Sequence, residues 1–444
     1  SEMCIRDRHG SLQTLYPDET MNQPLSRYVD YMYSYPHKTA YRPFPAPVSL
    51  LPYLEQLQGR KASLYFHIPF CSHKCGYCNL FSLQTNRTEY IATYLDTLHR
   101  QAQQLSPLTA GLTFDSFAIG GGTPLLLTVP QLEQLMATAA LFGVHPSHAF
   151  TSVETSPEYA DRPRLNVLKK AGVSRVSIGI QSFQDEELKA IKRRPRQNTI
   201  YQALDDIRQM DFPYFNIDLI YGIKGQTVES FLYSLEEALR FQPNELFIYP
   251  LYVRQGTGIT EREPDDVCFR MYRAACKLLQ AKGFLQTSMR RFIHHPSTDA
   301  EVSCGDEVML SCGSGGRSYL GDLHYATRYT VCQQCIAREI DEYMATTDFT
   351  VARNGFILSA KEQQQRFIIK NLMYYMGIDK AEYTRRFGEP LDRTPLFRQL
   401  AEQYWIEETP ERIRLTPEGL GYSDYIGQLF ITPEIRQLME TYSY

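Results

Sequence analysis

Six short runs rich in β-branched and aromatic residues stand at 63–69, 114–120, 148–154, 174–180, 214–220 and 245–253. Between them lie stretches whose apolar positions recur with a helical period, at 87–105, 130–141, 163–171, 185–209 and 227–241. This alternation predicts an α/β fold, a parallel sheet with helical crossovers. Six units are too few for a closed eight-stranded barrel. After 254 the pattern changes. Residues 265–282 read as a helix with Val267, Met271, Ala275, Leu278 and Leu279 on one face. Segment 284–330 mixes short strands with glycine-rich loops. From about 360 a smaller unit follows, with helices at 361–376, 380–386 and 394–403, a strand pair near 404–415 and a final helix pair. The run Arg-Ile-Arg-Leu-Thr-Pro-Glu-Gly-Leu at 412–420 suggests a winged-helix-like cap.

The Tyr- and Pro-rich stretch 27–46 predicts an extended arm lying on the core, because prolines break regular structure while the aromatics need packing. A flap over the mouth of a site is the functional form of the same arrangement. Residues 1–8, Ser-Glu-Met-Cys-Ile-Arg-Asp-Arg, read like translated adapter sequence, with Met21 as the expected start. The expected organisation is a non-native or disordered 1–20 that includes Cys4, an arm at 21–60, a core at 61–290, an extension at 291–358 and a C-terminal unit at 359–444.

A chain of 444 residues can bury a large core. Its net charge of −4 comes without a basic tract, so no nucleic-acid partner is expected. No stretch has the apolar length needed to cross a bilayer. Ten cysteines with clustered spacing point to metal chemistry in a reducing compartment rather than to a disulfide framework, and a cytoplasmic location is expected.

The chemistry concentrates after the first run, in His67-Ile-Pro-Phe-Cys71-Ser-His73-Lys-Cys75-Gly-Tyr77-Cys78-Asn-Leu80-Phe81. Three thiolates at C-x3-C-x2-C spacing can converge on one metal centre. On a four-iron cluster they leave one iron open. Zinc would want a fourth ligand, and His67 and His73 leave it open as an alternative. Ligands of parallel α/β folds bind at the carboxyl ends of strands, and the unusual residues recur there. The second run ends in Gly120-Gly121-Gly122-Thr123-Pro124, where backbone can approach a ligand closely. The third delivers Glu154. The fourth closes on Gln181, with Arg193 twelve residues on in a Lys-Arg-Arg-Pro run. The fifth holds Asp218, costly in so apolar a strand unless paired. The sixth leads to Tyr252 and Arg254. Val-Cys332-Gln-Gln-Cys335 has metal-binding spacing, yet Cys304, Cys312, Cys332 and Cys335 are expected to be structural or free thiols. Cys268 and Cys276 lie on a helix and read as core.

The cysteine loop resembles that of the radical S-adenosylmethionine (SAM) superfamily. The flank His-Ile-Pro-Phe-Cys is similar to the oxygen-independent coproporphyrinogen III oxidase family, heme chaperones included. The resemblance runs from about residue 28 to the end. It implies a partial (β/α)6 TIM-like barrel with a mostly helical, winged-helix-like C-terminal domain. It implies a [4Fe–4S] cluster on Cys71, Cys75 and Cys78, and reductive cleavage of SAM to a 5′-deoxyadenosyl radical. Tyr65, Gly121 and Glu154 match positions touching the cluster-bound SAM. Tyr77, Gly122, Thr123, Gln181, Arg193 and Asp218 match positions assigned to a second SAM, so one or two SAM molecules are implied. A porphyrin-like or other small-molecule substrate and a flavodoxin- or ferredoxin-type reductant follow as partners. Tyr252 stands where the oxidase has Ala and can crowd the second position; Arg317 replaces an apolar contact near the first. The oxidases carry a fourth cysteine where this chain has Leu80, as the chaperone-type relatives also lack it. This argues against coproporphyrinogen decarboxylation and keeps a heme-transferring chaperone as the alternative. A SAM-dependent radical methylase or cyclopropanase is the further alternative.

Overall fold

The computed structural model describes residues 27–28, 34–145, 148–194, 196–254, 256–294, 308–391 and 394–443. The expected start at Met21, Cys4, the first twenty residues and Cys304 lie outside them.

Thirteen strands form one sheet. In chain order they are β1 (Arg42–Ser49), β2 (Lys61–Ile68), β3 (Thr113–Gly121), β4 (Phe150–Thr155), β5 (Arg175–Gln181), β6 (Tyr214–Tyr221), β7 (Glu245–Pro250), β8 (Leu285–Gln286), β9 (Arg291–Ile293), β10 (Val308–Cys312), β11 (Arg317–Leu320), β12 (Leu323–Ala326) and β13 (Val351–Ile357). Their order in space is β1-β13-β12-β11-β10-β2-β3-β4-β5-β6-β7-β9-β8. All neighbours from β10 through β2 to β7 are parallel. The flanks are antiparallel: β9 closes the β7 side, while β11, β12, β13 and β1 extend the other. The six runs read from the sequence are therefore β2–β7, the α/β fold class is as expected, and the later strands continue the same sheet.

The helices of the alternating part are α1 (Thr88–Leu105), α2 (Val129–Ala140), α3 (Arg162–Ala171), α4 (Asp185–Ala190), α5 (Gln197–Met210) and α6 (Val228–Leu239), followed by α7 (Asp265–Ala281). In α1, Ile91, Tyr94, Leu95, Leu98, Ala102 and Leu105 are buried, the three-and-four spacing of a helix with one wet face. Asp161 caps α3 at its start by accepting from the Arg164 amide, and Gly172 ends it at φ 84°. Two expectations need correcting. The single helix expected over 185–209 is two, because the chain turns through Lys192 at φ 53° and the sequence places Pro195 just beyond, which cannot continue a helix. On α7 the buried face is carried by Cys268, Phe269, Met271, Tyr272, Ala275 and Leu279, with Val267 and Leu278 at its margin. The face is turned because aromatic partners on Tyr221 and Tyr422 sit there.

Alternate residues of the parallel strands divide sharply. Leu64, Phe66, Ile119, Val153, Val176, Ile178, Ile217, Leu219, Leu246 and Ile248 are buried against the helices. Many intervening positions are polar: Ser63 bonds Ser116 at 2.6 Å, and the Asn216 amide donates to Ser177 and Asp218 at 2.7 Å each. Apolar residues outward and polar residues inward describe an interior that is not filled as a core.

Helix α8 (Gln333–Ala345) joins β12 to β13; beyond β13 stand α9 (Ala360–Leu372), α10 (Lys380–Phe387), α11 (Pro395–Glu402), α12 (Ser423–Leu429) and α13 (Pro433–Glu440). A three-stranded sheet of Ile378–Asp379, Arg412–Leu415 and Ile406–Glu408 joins α9–α13. This part has its own core, with Phe367, Ile369, Leu372, Trp405, Ile413 and Ile426. The described part of the arm enters that core through Tyr35 and Ala40.

Candidate functional site

The six strands end around one cavity of about 980 Å³. All thirteen residues singled out from the sequence line it: Cys71, Cys75, Cys78, Tyr65, Tyr77, Gly121, Gly122, Thr123, Glu154, Gln181, Arg193, Asp218 and Tyr252.

The cysteine loop leaves β2 and is tied down on both sides. The Gly76 amide donates to the Ile191 carbonyl at 2.9 Å, and Gly258 donates to the Gly76 carbonyl at 2.6 Å. Lys74 donates to Ser82 Oγ at 2.7 Å and to the Leu80 carbonyl at 3.0 Å. Thr123 donates to Cys71 Sγ at 3.6 Å. Burial pushes the Cys71 thiol up to about 11, and Cys78 adds to the effect. Burial raises Cys75 too, although the Arg193 guanidinium works the other way.

Three thiols on one loop are the donor set that a four-iron cluster would take, leaving one iron open. Among the described residues no three of His, Cys, Asp and Glu converge closely enough to hold one metal ion. His67 is also committed elsewhere. His67 Nε2 lies 2.9 Å from the Phe81 carbonyl, so that nitrogen carries the proton, and Nδ1 accepts from the Tyr65 hydroxyl at 3.1 Å. Burial lowers the ring to about 4 and keeps it neutral. His73 Nε2 meets the Lys192 carbonyl at 2.8 Å. His67 is thus engaged at both ring nitrogens, whereas the carbonyl on His73 Nε2 leaves its Nδ1 able to serve as a fourth ligand, and the zinc alternative stays open.

Opposite the thiols, Gly121 (φ 118°) and Gly122 press against β2. A Cβ on Gly121 would lie 2.9 Å from the His67 ring, and one on Gly122 would lie 2.5 Å from the Phe70 carbonyl. Glu154 opens on the cavity and accepts from the Gly121 amide at 3.2 Å. Desolvation in the cleft raises its carboxyl, which that amide partly offsets. Gln181 closes β5 at φ 75°, where the pairing register with β6 shifts. A left-handed, non-glycine residue at a bulge re-aims a side chain at a cost of about 1–3 kcal/mol. Arg193 donates to the Gly179 carbonyl at 2.5 Å and to the Tyr77 hydroxyl at 3.3 Å. Asp218, two residues beyond its Asn216 partner, has a carboxyl that burial pushes up to about 7. Below it Glu245 accepts from Arg175 at 2.6 Å and from Arg291. Burial would raise Glu245, but these two guanidinium groups hold it below its ordinary value.

Tyr252 follows β7. Its hydroxyl accepts from Arg290 and donates to Asp424 of α12, and Arg290 itself meets Asp424 at 2.6 Å. Ser177, Tyr249, Lys38, Tyr329 and Leu80 also line the cavity. Ser177 and Tyr249 could have been found by following the two-residue period back from Gly179 and forward along β7. Lys38, whose ammonium lies 3.7 Å from the Tyr329 ring centre, arrives from the arm and carried no local signal. Arg317 also faces the cavity and donates to Ser34 of the arm at 2.6 Å.

A parallel half-barrel with a three-thiol loop after its first strand is the architecture of the radical SAM superfamily, whose family model matches residues 65–238; the model of the HemN C-terminal domain matches 358–421. Within that superfamily the chain belongs to the oxygen-independent coproporphyrinogen III oxidase family, in which heme chaperones are also found. It is 30% identical over 394 residues to the oxygen-independent coproporphyrinogen III oxidase of Salmonella typhimurium, covering 81% of this chain and 83% of that one. It is 27% identical over 386 residues to the heme chaperone HemW of Bacillus subtilis, covering 83% of this chain and 100% of that one. The solved structure of coproporphyrinogen III oxidase from Escherichia coli shares the fold, with a TM-score of 0.78 at 23% identity over 90% of this chain and 97% of that one. No described helix is long and apolar enough to cross a membrane.

Proposed function

We propose that Cys71, Cys75 and Cys78 hold a [4Fe–4S] cluster, and that the cavity binds SAM and a small substrate for radical chemistry. The carrying observation is that three thiols and the polar ends of six consecutive strands open on one cavity. When bound, the cluster would supply an electron, delivered by a flavodoxin- or ferredoxin-type donor, that cleaves SAM to 5′-deoxyadenosyl radical and methionine.

The chain's own groups suit this task. Glu154, steadied by the Gly121 amide, presents a carboxylate to an ammonium group. Asp218 offers an acceptor for hydroxyls, with Asn216 fixing its orientation. The buried Arg193 suits a carboxylate. Tyr249, Tyr252 and Ile220 supply an apolar stretch of the cavity wall. Tyr252, held by Arg290 and Asp424, narrows that wall, and the reading takes one SAM molecule.

Anaerobic reconstitution with iron and sulfide, then assay with dithionite and SAM, is expected to yield 5′-deoxyadenosine. A full cluster that binds SAM without cleaving it would overturn the enzymatic reading. A second reading, heme transfer, is favoured by Leu80. This residue is 44% exposed at the cavity mouth, where the oxidases carry their fourth cysteine. Heme titration followed by absorbance, with transfer to an apo-hemoprotein, separates the two.

A further inference from the structure

The Cys332–Cys335 pair lies outside the chemistry above. Cys332 is the N-cap of the thirteen-residue helix α8, and Cys335 is three residues in. Cys332 is exposed and Cys335 partly exposed, so the first sulfur is the readier target for a reagent. Residues three apart on a helical turn have Cα atoms about 5 Å apart, by the rise and radius of the helix. That lies inside the roughly 4.4–6.8 Å range of disulfides. Among the described residues no third His, Cys, Asp or Glu joins them closely enough to hold a metal ion.

The two thiols are unequal. The Cys335 amide and thiol both lower Cys332, and Arg338 acts in the same direction. The Cys335 thiol is raised, chiefly by its bond to Cys332. The exposed sulfur at the helix N-cap is the one placed to attack, and its partner three residues on is placed to resolve.

The pair also has an address. Gln333, between the two cysteines, accepts from the Gln84 amide at 2.8 Å and donates to the Ser82 carbonyl at 2.9 Å. Tyr329, three residues before Cys332, donates to the Asn79 carbonyl at 2.9 Å. The segment straps the outgoing limb of the loop that carries Cys71, Cys75 and Cys78.

We propose that Cys332 and Cys335 form a redox-active dithiol site that exchanges with organic disulfides and reports the thiol–disulfide poise next to the cysteine loop. Cys332 thiolate attacks one sulfur of the organic disulfide, whose S–S bond breaks. The departing thiolate takes a proton, leaving a mixed disulfide on Cys332. Cys335 gives up its proton and attacks the Cys332 sulfur, and the second thiol leaves. Two electrons and two protons pass to the reagent, giving two thiols and one intramolecular disulfide. The site does not depend on the proposed radical chemistry.

The test uses the full chain, anaerobically, in glutathione buffers of graded ratio. Arg328 and Arg338 flank both cysteines, so trypsin releases 329–338 as one reporter peptide. The peptide is expected to lose two hydrogens reversibly as the oxidised fraction rises. Under limiting alkylating reagent, Cys332 should label at least several-fold faster than Cys335. In Cys335→Ser the same treatment should trap glutathione on Cys332. Cys332→Ser and Cys335→Ser should keep wild-type iron content after reconstitution. A peptide that stays a dithiol in excess glutathione disulfide would overturn the proposal, as would faster labelling of Cys335 or no trapped adduct in Cys335→Ser.

Discussion

At the scale of single residues, charge burial and backbone crowding dominate. Burial holds the Asp218 carboxyl at about 7, against an ordinary value of 3.8. The folded chain therefore keeps a proton that the unfolded chain releases from about pH 4. Ionisation costs stability progressively between about pH 4 and 7 and adds no further cost above. Asp218→Asn, which has no charge to bury, should gain on wild type across that window. Urea melts of the unloaded protein at pH 5 and pH 8 check this, and the gap should be wider at pH 8. Gly122 makes the opposite kind of prediction. A methyl group there meets the Phe70 carbonyl, which is backbone and cannot swing away. Gly122→Ala is expected to displace the strand end beside Cys71 and to reduce iron incorporation severalfold, read by iron and sulfide analysis.

At the scale of elements, the site depends on where helices and strands stop. The break between α4 and α5 is what allows Arg193 to reach the Gly179 carbonyl. In one continuous helix the Lys-Arg-Arg run would have been a solvated face. Pro195, directly after that run, is the local mark of the break in the sequence. The end of α8 is equally consequential, because Gln333 there satisfies both a backbone donor and a backbone acceptor of the cysteine-loop limb. Hydrogen bonds of this kind are worth about 1 kcal/mol each. Gln333→Ala should lower stability by about 1–2 kcal/mol in denaturant titration. It should also speed amide exchange in a peptide spanning Gln84, while exchange in β5 and β6 stays unchanged.

At the scale of the whole molecule, two cores are joined through a buried charge pair. Arg290 and Asp424 have side-chain exposures of 6% and 1%, and Tyr252 closes the triangle on the cavity side. Removing one partner of such a pair typically costs about 3–5 kcal/mol, because the other charge is left buried and unpaired. The single tryptophan, Trp405, lies in the C-terminal core and reports on it alone. In wild type, Trp405 fluorescence and far-ultraviolet dichroism should lose their signals at one temperature. In Asp424→Ala the fluorescence transition should fall below the dichroism transition. The sequence by itself determined the six strand–helix units and the residues at their ends, because periodicity and strand-end chemistry are local properties of a chain. It also made the cysteine loop legible, since Cys71, Cys75 and Cys78 lie within eight residues of each other. It left open whether His67 was a ligand, and it carried no local signal that Lys38 lines the cavity or that Arg290 and Asp424 hold Tyr252 there. Those choices belong to the tertiary structure. The Phe81 carbonyl and Tyr65 hydroxyl that occupy His67, and the hydroxyl of Tyr252 that links Arg290 to Asp424, are brought together only by packing. The Tyr252–Asp424 contact joins residues 172 positions apart, a separation across which no local pattern can carry information.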